Sequence, residues 1–130
     1  MRNKIILWVL AFLAVFLIGF GPMYVRATRA EDQFETVSQE AQRLRVRDAL
    51  ALTYLQAAQK NFGLAAETSS RFFTQARELS DRATDSEMKK SLEAILGARD
   101  KITAGLAKGE SGVLEELQNL YLKTREATAR

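Results

Sequence analysis

The stretch FETVSQEAQRLRVRDALALTYLQAAQKNFGLAAETSSRFFTQARELSDRA, residues 34–83, carries apolar side chains at alternate steps of three and four residues. This heptad spacing predicts coiled-coil-like helices that direct an apolar stripe towards the interior of a bundle. Leu50 and Leu52 widen the stripe, and only Asp48 and Ser69 interrupt it. The stripe consists of Phe34, Val37, Ala41, Leu44, Asp48, Ala51, Leu55, Ala58, Phe62, Ala65, Ser69, Phe72, Ala76, Leu79 and Ala83.

Residues 34–83 are compatible with two helices or with one. Asn61 and Gly63 mark the only candidate break, because an asparagine side chain can cap a new helix and a glycine relaxes a turn. The uninterrupted stripe favours one continuous coiled-coil helix, which would dimerise or dock along its whole length. Helices of about 20 residues are ordinary in globular domains, whereas a helix of about 50 residues is not. We therefore predict two helices, over residues 34–60 and 62–83.

A third helix is predicted over residues 85–108. Thr84 and Glu87 have the spacing of a capping box, in which the threonine hydroxyl accepts a hydrogen bond from the amide of Glu87 while the glutamate reaches back. Gly109 ends this helix, because glycine adopts the left-handed conformation that closes a helix. Lys108 carries the positive charge that is favourable at a helix carboxyl end.

Residues 5–25 form an uncharged apolar run. As a helix the run would be about 31 Å long, close to the ~30 Å hydrocarbon thickness of a bilayer. We predict a transmembrane signal anchor over residues 5–25, between a basic leader over residues 1–4 and a juxtamembrane connection over residues 26–33. A cleaved signal peptide is the competing interpretation. The predicted membrane-interface residues are Trp8, Tyr24, Arg2, Lys4, Arg26 and Arg29.

These elements predict an all-α fold, with a single N-terminal transmembrane helix followed by a small antiparallel bundle of three or four helices. The last helix, capped by Ser111, is predicted over residues 112–128, so the bundle occupies residues 34–128. A short basic leader before a first apolar segment commonly stays in the cytoplasm. We therefore expect a single-pass bacterial inner-membrane protein with its N-terminus in the cytoplasm and its C-terminal domain in the periplasm.

The net charge of +3 comes entirely from the N-terminal part. Four of the 19 basic residues precede Glu31, the first acidic residue, which leaves 15 basic against 16 acidic residues and a net charge of −1 for the rest. A region with this balance has no electrostatic reason to bind a phosphate backbone, so no nucleic-acid partner is expected. The chain has no cysteine and no histidine, which excludes disulfides, thiolate nucleophiles, histidine acid–base catalysis and Cys/His metal sites.

No catalytic, cofactor-binding or metal-binding constellation is predicted. Glu115 and Glu116 are adjacent, so on a helix they diverge by about 100° and cannot share a proton or a metal ion. Aromatic side chains at helical spacing fit the interior of a bundle better than a small-molecule pocket. They are Phe62, Phe72, Phe73, Tyr54 and Tyr121.

The densest basic cluster comprises Arg43, Arg45 and Arg47. Arg43 and Arg47 share one helix face and Arg45 points away from it, so the three cannot form one concentrated patch. We interpret the cluster as a solvated face that makes ion pairs with Glu40 and Asp48.

The chain thus offers a tether and long apolar helical faces rather than reactive groups. We predict a membrane-anchored, non-enzymatic interaction or scaffold protein, an accessory or structural subunit of a larger membrane assembly. The expected partners are the lipid bilayer, other helical membrane or periplasmic proteins, or a second copy of the chain; no cofactor and no small-molecule ligand are expected. The alternative is an extracytoplasmic ligand-sensing bundle that acts through a partner. The candidate partner contacts are Phe34, Val37, Leu44, Leu120 and Tyr121.

Overall fold

The structure, a computed structural model, describes the backbone of residues 2–129; the side chains of residues 2, 17, 19–25 and 28 lie outside the described set. The all-helical prediction is confirmed, since residues 2–129 contain five α-helices and no strand. They are α1 (Arg2–Ala58), α2 (Phe62–Arg82), α3 (Ser86–Leu96), α4 (Arg99–Lys108) and α5 (Gly112–Thr128). Two compact units divide the chain, Met1–Ser38 and Gln39–Arg130, and the helical bundle is the second unit.

The first unit, Met1–Ser38, consists of the N-terminal part of α1. Its described apolar side chains are highly exposed; Ile5, Leu7 and Phe12 expose 63%, 70% and 78% of their surface. Among the described residues, no helix combines the length and the hydropathy that crossing a bilayer requires. The described residues therefore do not support the transmembrane helix predicted over residues 5–25, of which residues 17 and 19–25 lie outside the described side chains.

The chain turns between α1 and α2 at residues 59–61, so these are separate helices. Asn61 is the N-cap of α2, and its side-chain oxygen accepts a hydrogen bond from the amide of Leu64 at 3.5 Å. Gly63, which was expected to relax the turn, lies inside α2. The left-handed residue of the turn is Lys60, with a φ of 60°.

Replacing Lys60 by glycine is expected to stabilise the bundle by up to about 1 kcal/mol. A residue with a Cβ atom costs roughly 1–2 kcal/mol in the left-handed region, and glycine removes that cost while adding some freedom to the unfolded chain. Urea unfolding of the full chain measures the change. Gln59→Gly, at the neighbouring position without a positive φ, should instead lose stability; equal losses for the two variants would contradict this explanation.

The core of the bundle is built around α2. Phe72 and Phe73 are 0% and 2% exposed, and their ring centroids lie 4.8 Å apart in an edge-on arrangement. Helix α2 contacts α3 and α4, and α5 also contacts both of these helices. Burial of the large apolar side chains provides the main stabilising free energy. The other large side chains that are fully buried include Leu50, Leu92, Ile95, Ile102, Leu106 and Leu117.

The helix predicted over residues 85–108 is two helices, because the chain bends at Gly97 and Ala98. The amide of Ala98 donates to the carbonyl of Ile95 at 3.1 Å, an i to i−3 bond that tightens the end of α3. A Cβ atom at Gly97 would lie 3.3 Å from the carbonyl oxygen of Ala94, so the bend suits glycine. Apolar residues continue at steps of three and four on both sides of the bend. Their periodicity alone therefore does not predict the bend.

Two of the predicted helix caps differ from those in the structure. At α3 the capping side chain is Asp85, whose carboxylate accepts a hydrogen bond from the amide of Glu87 at 3.1 Å, so the prediction of Thr84 is wrong. A carboxylate at this position also interacts favourably with the positive end of the helix dipole. At α5, Ser111 occupies the N-cap position, but its hydroxyl makes no capping hydrogen bond.

Gly109 ends α4 directly after Lys108 and has a φ of 62°. A Cβ atom there would also lie 3.3 Å from the ring of Phe62. We therefore expect Gly109→Ala to destabilise the bundle by about 1–3 kcal/mol, measured by urea unfolding. Gly112→Ala is the matched control, because open space surrounds that position, and it should change stability by less than about 0.5 kcal/mol. Equal effects of the two substitutions would contradict the role assigned to Gly109.

Candidate functional site

Within the second unit, α1 carries one mainly apolar face that is buried. This inner face consists of Val46, Leu50, Thr53 and Ala57, each of which is at most 1% exposed. Steps of four, three and four residues place these side chains on one side of the helix. The inner face therefore attaches this part of α1 to the core of the bundle.

A second, mainly apolar face of the same helix segment is exposed. We define the outer stripe as Leu44, Asp48, Ala51 and Leu55, all of which are exposed; Leu44 and Leu55 expose 55% and 52% of their surface. The outer stripe is offset from the inner face by two residues, which corresponds to about 200° around a helix. The outer stripe thus lies nearly opposite the inner face.

This arrangement overturns the expectation that the heptad stripe of residues 34–83 faces the bundle interior along its whole length. In α2 the stripe does form the core, because Ala65, Phe72, Ala76 and Leu79 are 0–3% exposed. In α1 the residues of the stripe from Leu44 to Leu55 are exposed. The buried residues are those of the inner face, which lie two positions further along the chain.

The five predicted partner contacts have different environments. Phe34 and Val37 belong to the first unit and expose 79% and 64% of their surface. Leu44 belongs to the outer stripe of the second unit. Leu120 is 4% exposed and is part of the core, so it is not available to a partner. Tyr121 is half-buried on α5.

A shallow, mainly apolar groove of about 240 Å³ adjoins the outer stripe. Ala51 and Tyr54 of α1 line it together with Gln118 and Tyr121 of α5. Sequence reasoning does not identify this groove, because its walls come from helices that are far apart in the chain. The groove places Tyr121, a predicted contact residue, next to the exposed face of α1.

The predicted membrane-interface residues all belong to the first unit. The side chains that the structure describes are exposed, and Trp8 exposes 78% of its surface. The described residues of this set are Trp8, Lys4, Arg26 and Arg29, whereas the side chains of Arg2 and Tyr24 lie outside the described residues.

The arginine cluster is divided between the bundle and solvent, so it is not one solvated face. Arg43 and Arg47 are half-buried, whereas Arg45 is exposed. The guanidinium of Arg43 lies 3.7 Å from the sulfur of Met88, and Nε of Arg47 donates a hydrogen bond to the hydroxyl of Thr128. These two contacts join α1 to α3 and α5.

Three exposed charges lie on or beside the outer stripe: Glu40, Arg45 and Asp48. None of them takes part in an ion pair with another residue that the structure describes. The ion pairs there join Arg71 to Glu67, Lys101 to Glu116 and Lys108 to Glu110. The open face of α1 therefore presents charges of both signs next to apolar side chains.

A cleft of about 240 Å³ lies between α3 and α5. It is smaller than the roughly 300–1,000 Å³ of typical small-molecule sites. Its lining includes Met88, Ser91, Ile95, Lys123 and Glu126. In the part of the chain that the structure describes, no group of three His, Cys, Asp or Glu side chains is placed to hold a metal ion.

The fold defines the protein as a small helical bundle in which one helix keeps an exposed apolar face. Comparison of the chain with protein-family models, with curated proteins and with solved structures finds no match.

Proposed function

We propose that the protein is a membrane-anchored, non-enzymatic interaction protein, an accessory or structural subunit of a larger membrane assembly. The observation that carries this proposal is the outer stripe, a mainly apolar face with heptad spacing that the bundle leaves exposed. Helix-to-helix recognition uses anchors at steps of three and four residues, as in this stripe. Full burial of an exposed leucine contributes roughly 1.5–3 kcal/mol, so Leu44 and Leu55 would stabilise such a complex.

The proposed anchor is the apolar run over residues 5–25. This run contains no charge, and the large apolar side chains described within it expose 54–78% of their surface. Single exposed apolar residues are normal on proteins, but a contiguous patch of many large apolar side chains indicates an interaction site. The hydrocarbon core of a bilayer would cover it. The basic leader with Arg2 and Lys4 favours a cytoplasmic N-terminus and a periplasmic second unit.

The non-enzymatic assignment is supported by the chemistry of the side chains. Without cysteine or histidine, acid–base chemistry would depend on carboxylates, lysines and tyrosines. The buried hydroxyls of Thr53, Thr124 and Thr128 donate to carbonyls of their own helices at 2.7–2.8 Å. These hydroxyls satisfy the helix backbone locally rather than converging on one site.

Gentle detergent extraction of the natively expressed full chain, followed by native-gel mass and mass spectrometry, tests the proposal. We expect the protein in the membrane fraction with a companion at fixed stoichiometry. Leu44→Glu should remove the companion, because a carboxylate is costly to bury without a partner. Leu64→Glu, on α2 at a position that is 48% exposed, is the matched control and should retain it. A small particle without any companion would reject the proposal and favour ligand screening of the bundle.

A further inference from the structure

We propose that the outer stripe of α1 pairs with the outer stripe of a second copy of this chain, in parallel and in register. This inference rests on the proposed function and deepens it, because it names the partner that covers the exposed face of α1. Three features support the pairing: the arrangement of the stripe, the position of the bundle relative to it, and the charges beside it.

The outer stripe has the residue pattern of a coiled-coil seam. Leu44 and Ala51 occupy d positions, and Asp48 and Leu55 occupy a positions of successive heptads. Leu44 has the residue type that parallel dimers favour at d, and the small side chain at Ala51 allows two helices to approach closely. The sequence holds the same register upstream at Phe34, Val37 and Ala41.

The bundle leaves the outer stripe accessible to a second helix. The inner face of α1 is buried in the bundle, and the outer stripe is about 200° away from it around the helix. Two copies can therefore lie with their outer stripes together and their bundles on opposite sides. The groove lined by Ala51, Tyr54, Gln118 and Tyr121 then lies at the edge of the contact. It can receive an apolar side chain such as Leu52 of the second copy, which is 41% exposed.

The charges beside the stripe select the parallel orientation. In a parallel coiled coil, a g residue of one helix meets the e residue five positions further along the other helix. Glu40 is at g and Arg45 is at e, so Glu40 of each copy meets Arg45 of the other. Both side chains are exposed, and neither forms an ion pair within the described part of its own chain.

An antiparallel dimer would leave these charges poorly matched. In that orientation e residues face e residues and g residues face g residues. Arg45 would then meet no acidic side chain, and the basic g residue available to Glu40 would be Arg47, whose Nε is bonded to Thr128 of its own chain. The e positions in this part of α1 are Ser38, Arg45 and Leu52.

The charges of Glu40 and Arg45 also fix the register of the proposed pair, because a shift by one heptad would place Glu40 opposite Ser38 or Leu52. In register, the two Asp48 carboxylates lie opposite each other, and their repulsion weakens the dimer. Anchoring in one membrane would raise the effective concentration of the two copies and favour pairing.

Disulfide cross-linking of single-cysteine variants tests the pairing, since the chain has no cysteine of its own. Full-length Leu44→Cys and Ala51→Cys proteins are reconstituted into phosphatidylcholine vesicles without any other protein and are then oxidised. Parallel pairing in register brings each cysteine opposite its equivalent, so both variants should form covalent dimers. Ser70→Cys, at an exposed position of α2, is the matched control, and we expect about tenfold less dimer from it.

Charge reversal tests the proposed contact between Glu40 and Arg45. In the Leu44→Cys background, Glu40→Arg or Arg45→Glu alone should reduce cross-linking roughly threefold to tenfold, because each change replaces two attractive pairs by two repulsive ones. The double variant should restore cross-linking. Asp48→Asn should increase it, since it removes the repulsion between the two carboxylates.

Cross-linking at positions 44 and 51 that does not exceed the Ser70→Cys control would overturn the proposal. Efficient cross-linking at only one of the two positions would indicate an antiparallel crossing and would overturn it as well. Failure of the double charge reversal to restore the dimer would reject the pairing of Glu40 with Arg45. The vesicles contain no other protein, so a negative result together with a companion in native membranes would leave the proposed function standing.

Discussion

Replacing Phe72 by alanine is expected to destabilise the bundle by about 3–5 kcal/mol, the range for buried phenylalanines. Phe72 is fully buried, and its ring packs edge-on against Phe73 with 4.8 Å between the centroids. The substitution removes this contact and leaves a cavity, because a close-packed core relaxes only partly around a missing ring. A small domain has a total stability of about 5–15 kcal/mol, so a large part of it would be lost.

Urea unfolding of the full chain, followed by far-ultraviolet circular dichroism, measures this loss. Leu64→Ala is the matched control, because Leu64 lies on the same helix and is 48% exposed. The control should change the free energy of unfolding by less than about 1 kcal/mol. A similarly small effect of Phe72→Ala would show that the ring is not enclosed by the bundle.

The double variant Ala11→Arg/Val15→Arg is expected to release the protein from membranes. Both residues lie near the middle of the apolar run over residues 5–25. Each arginine at the centre of a membrane helix costs about 2.5–3.5 kcal/mol, so the pair opposes insertion by about 5–7 kcal/mol. The measurement is the fraction of protein that remains in the membrane pellet after an alkaline carbonate wash.

The matched control adds the same two charges outside the run, as Ala27→Arg/Ala30→Arg. Both positions are exposed, and each directly follows an arginine, Arg26 or Arg29, so the added arginines should remain in water. This variant should sediment with membranes like the unchanged protein. Equal retention of both double variants, or release of the unchanged protein by the wash, would contradict the proposed anchor.

The helix ends that were predicted correctly from the sequence are those that a single nearby residue determines. The Asn61 side chain caps α2, and Gly109 provides the left-handed residue after α4. The bend at Gly97 is different, because one glycine inside a helix costs only about 1 kcal/mol and is often tolerated. Packing of the helices on either side decides whether the chain bends there, and that packing cannot be read from spacing alone.

The face of α1 that is buried could not be predicted for a related reason. Val46 and Leu50 lie on one side of the helix, Leu44 and Leu55 lie on the other, and both pairs have helical spacing. The choice between them depends on which surface fits the remaining helices. Leu120 illustrates the same limit, because its apolar character fits a contact surface as well as the core in which it lies.

The hydrogen bond between Arg47 and Thr128 joins residues that are 81 positions apart. The contacts of α2 with α3 and α4, and of α5 with α3 and α4, connect helices that are closer in the chain. Contacts between near residues form fastest, because closing a short loop costs less entropy. We therefore expect α2–α5 to assemble first and α1 to dock last. In that order of assembly, the inner face of α1 stays uncovered until the last step, and an uncovered apolar face promotes aggregation.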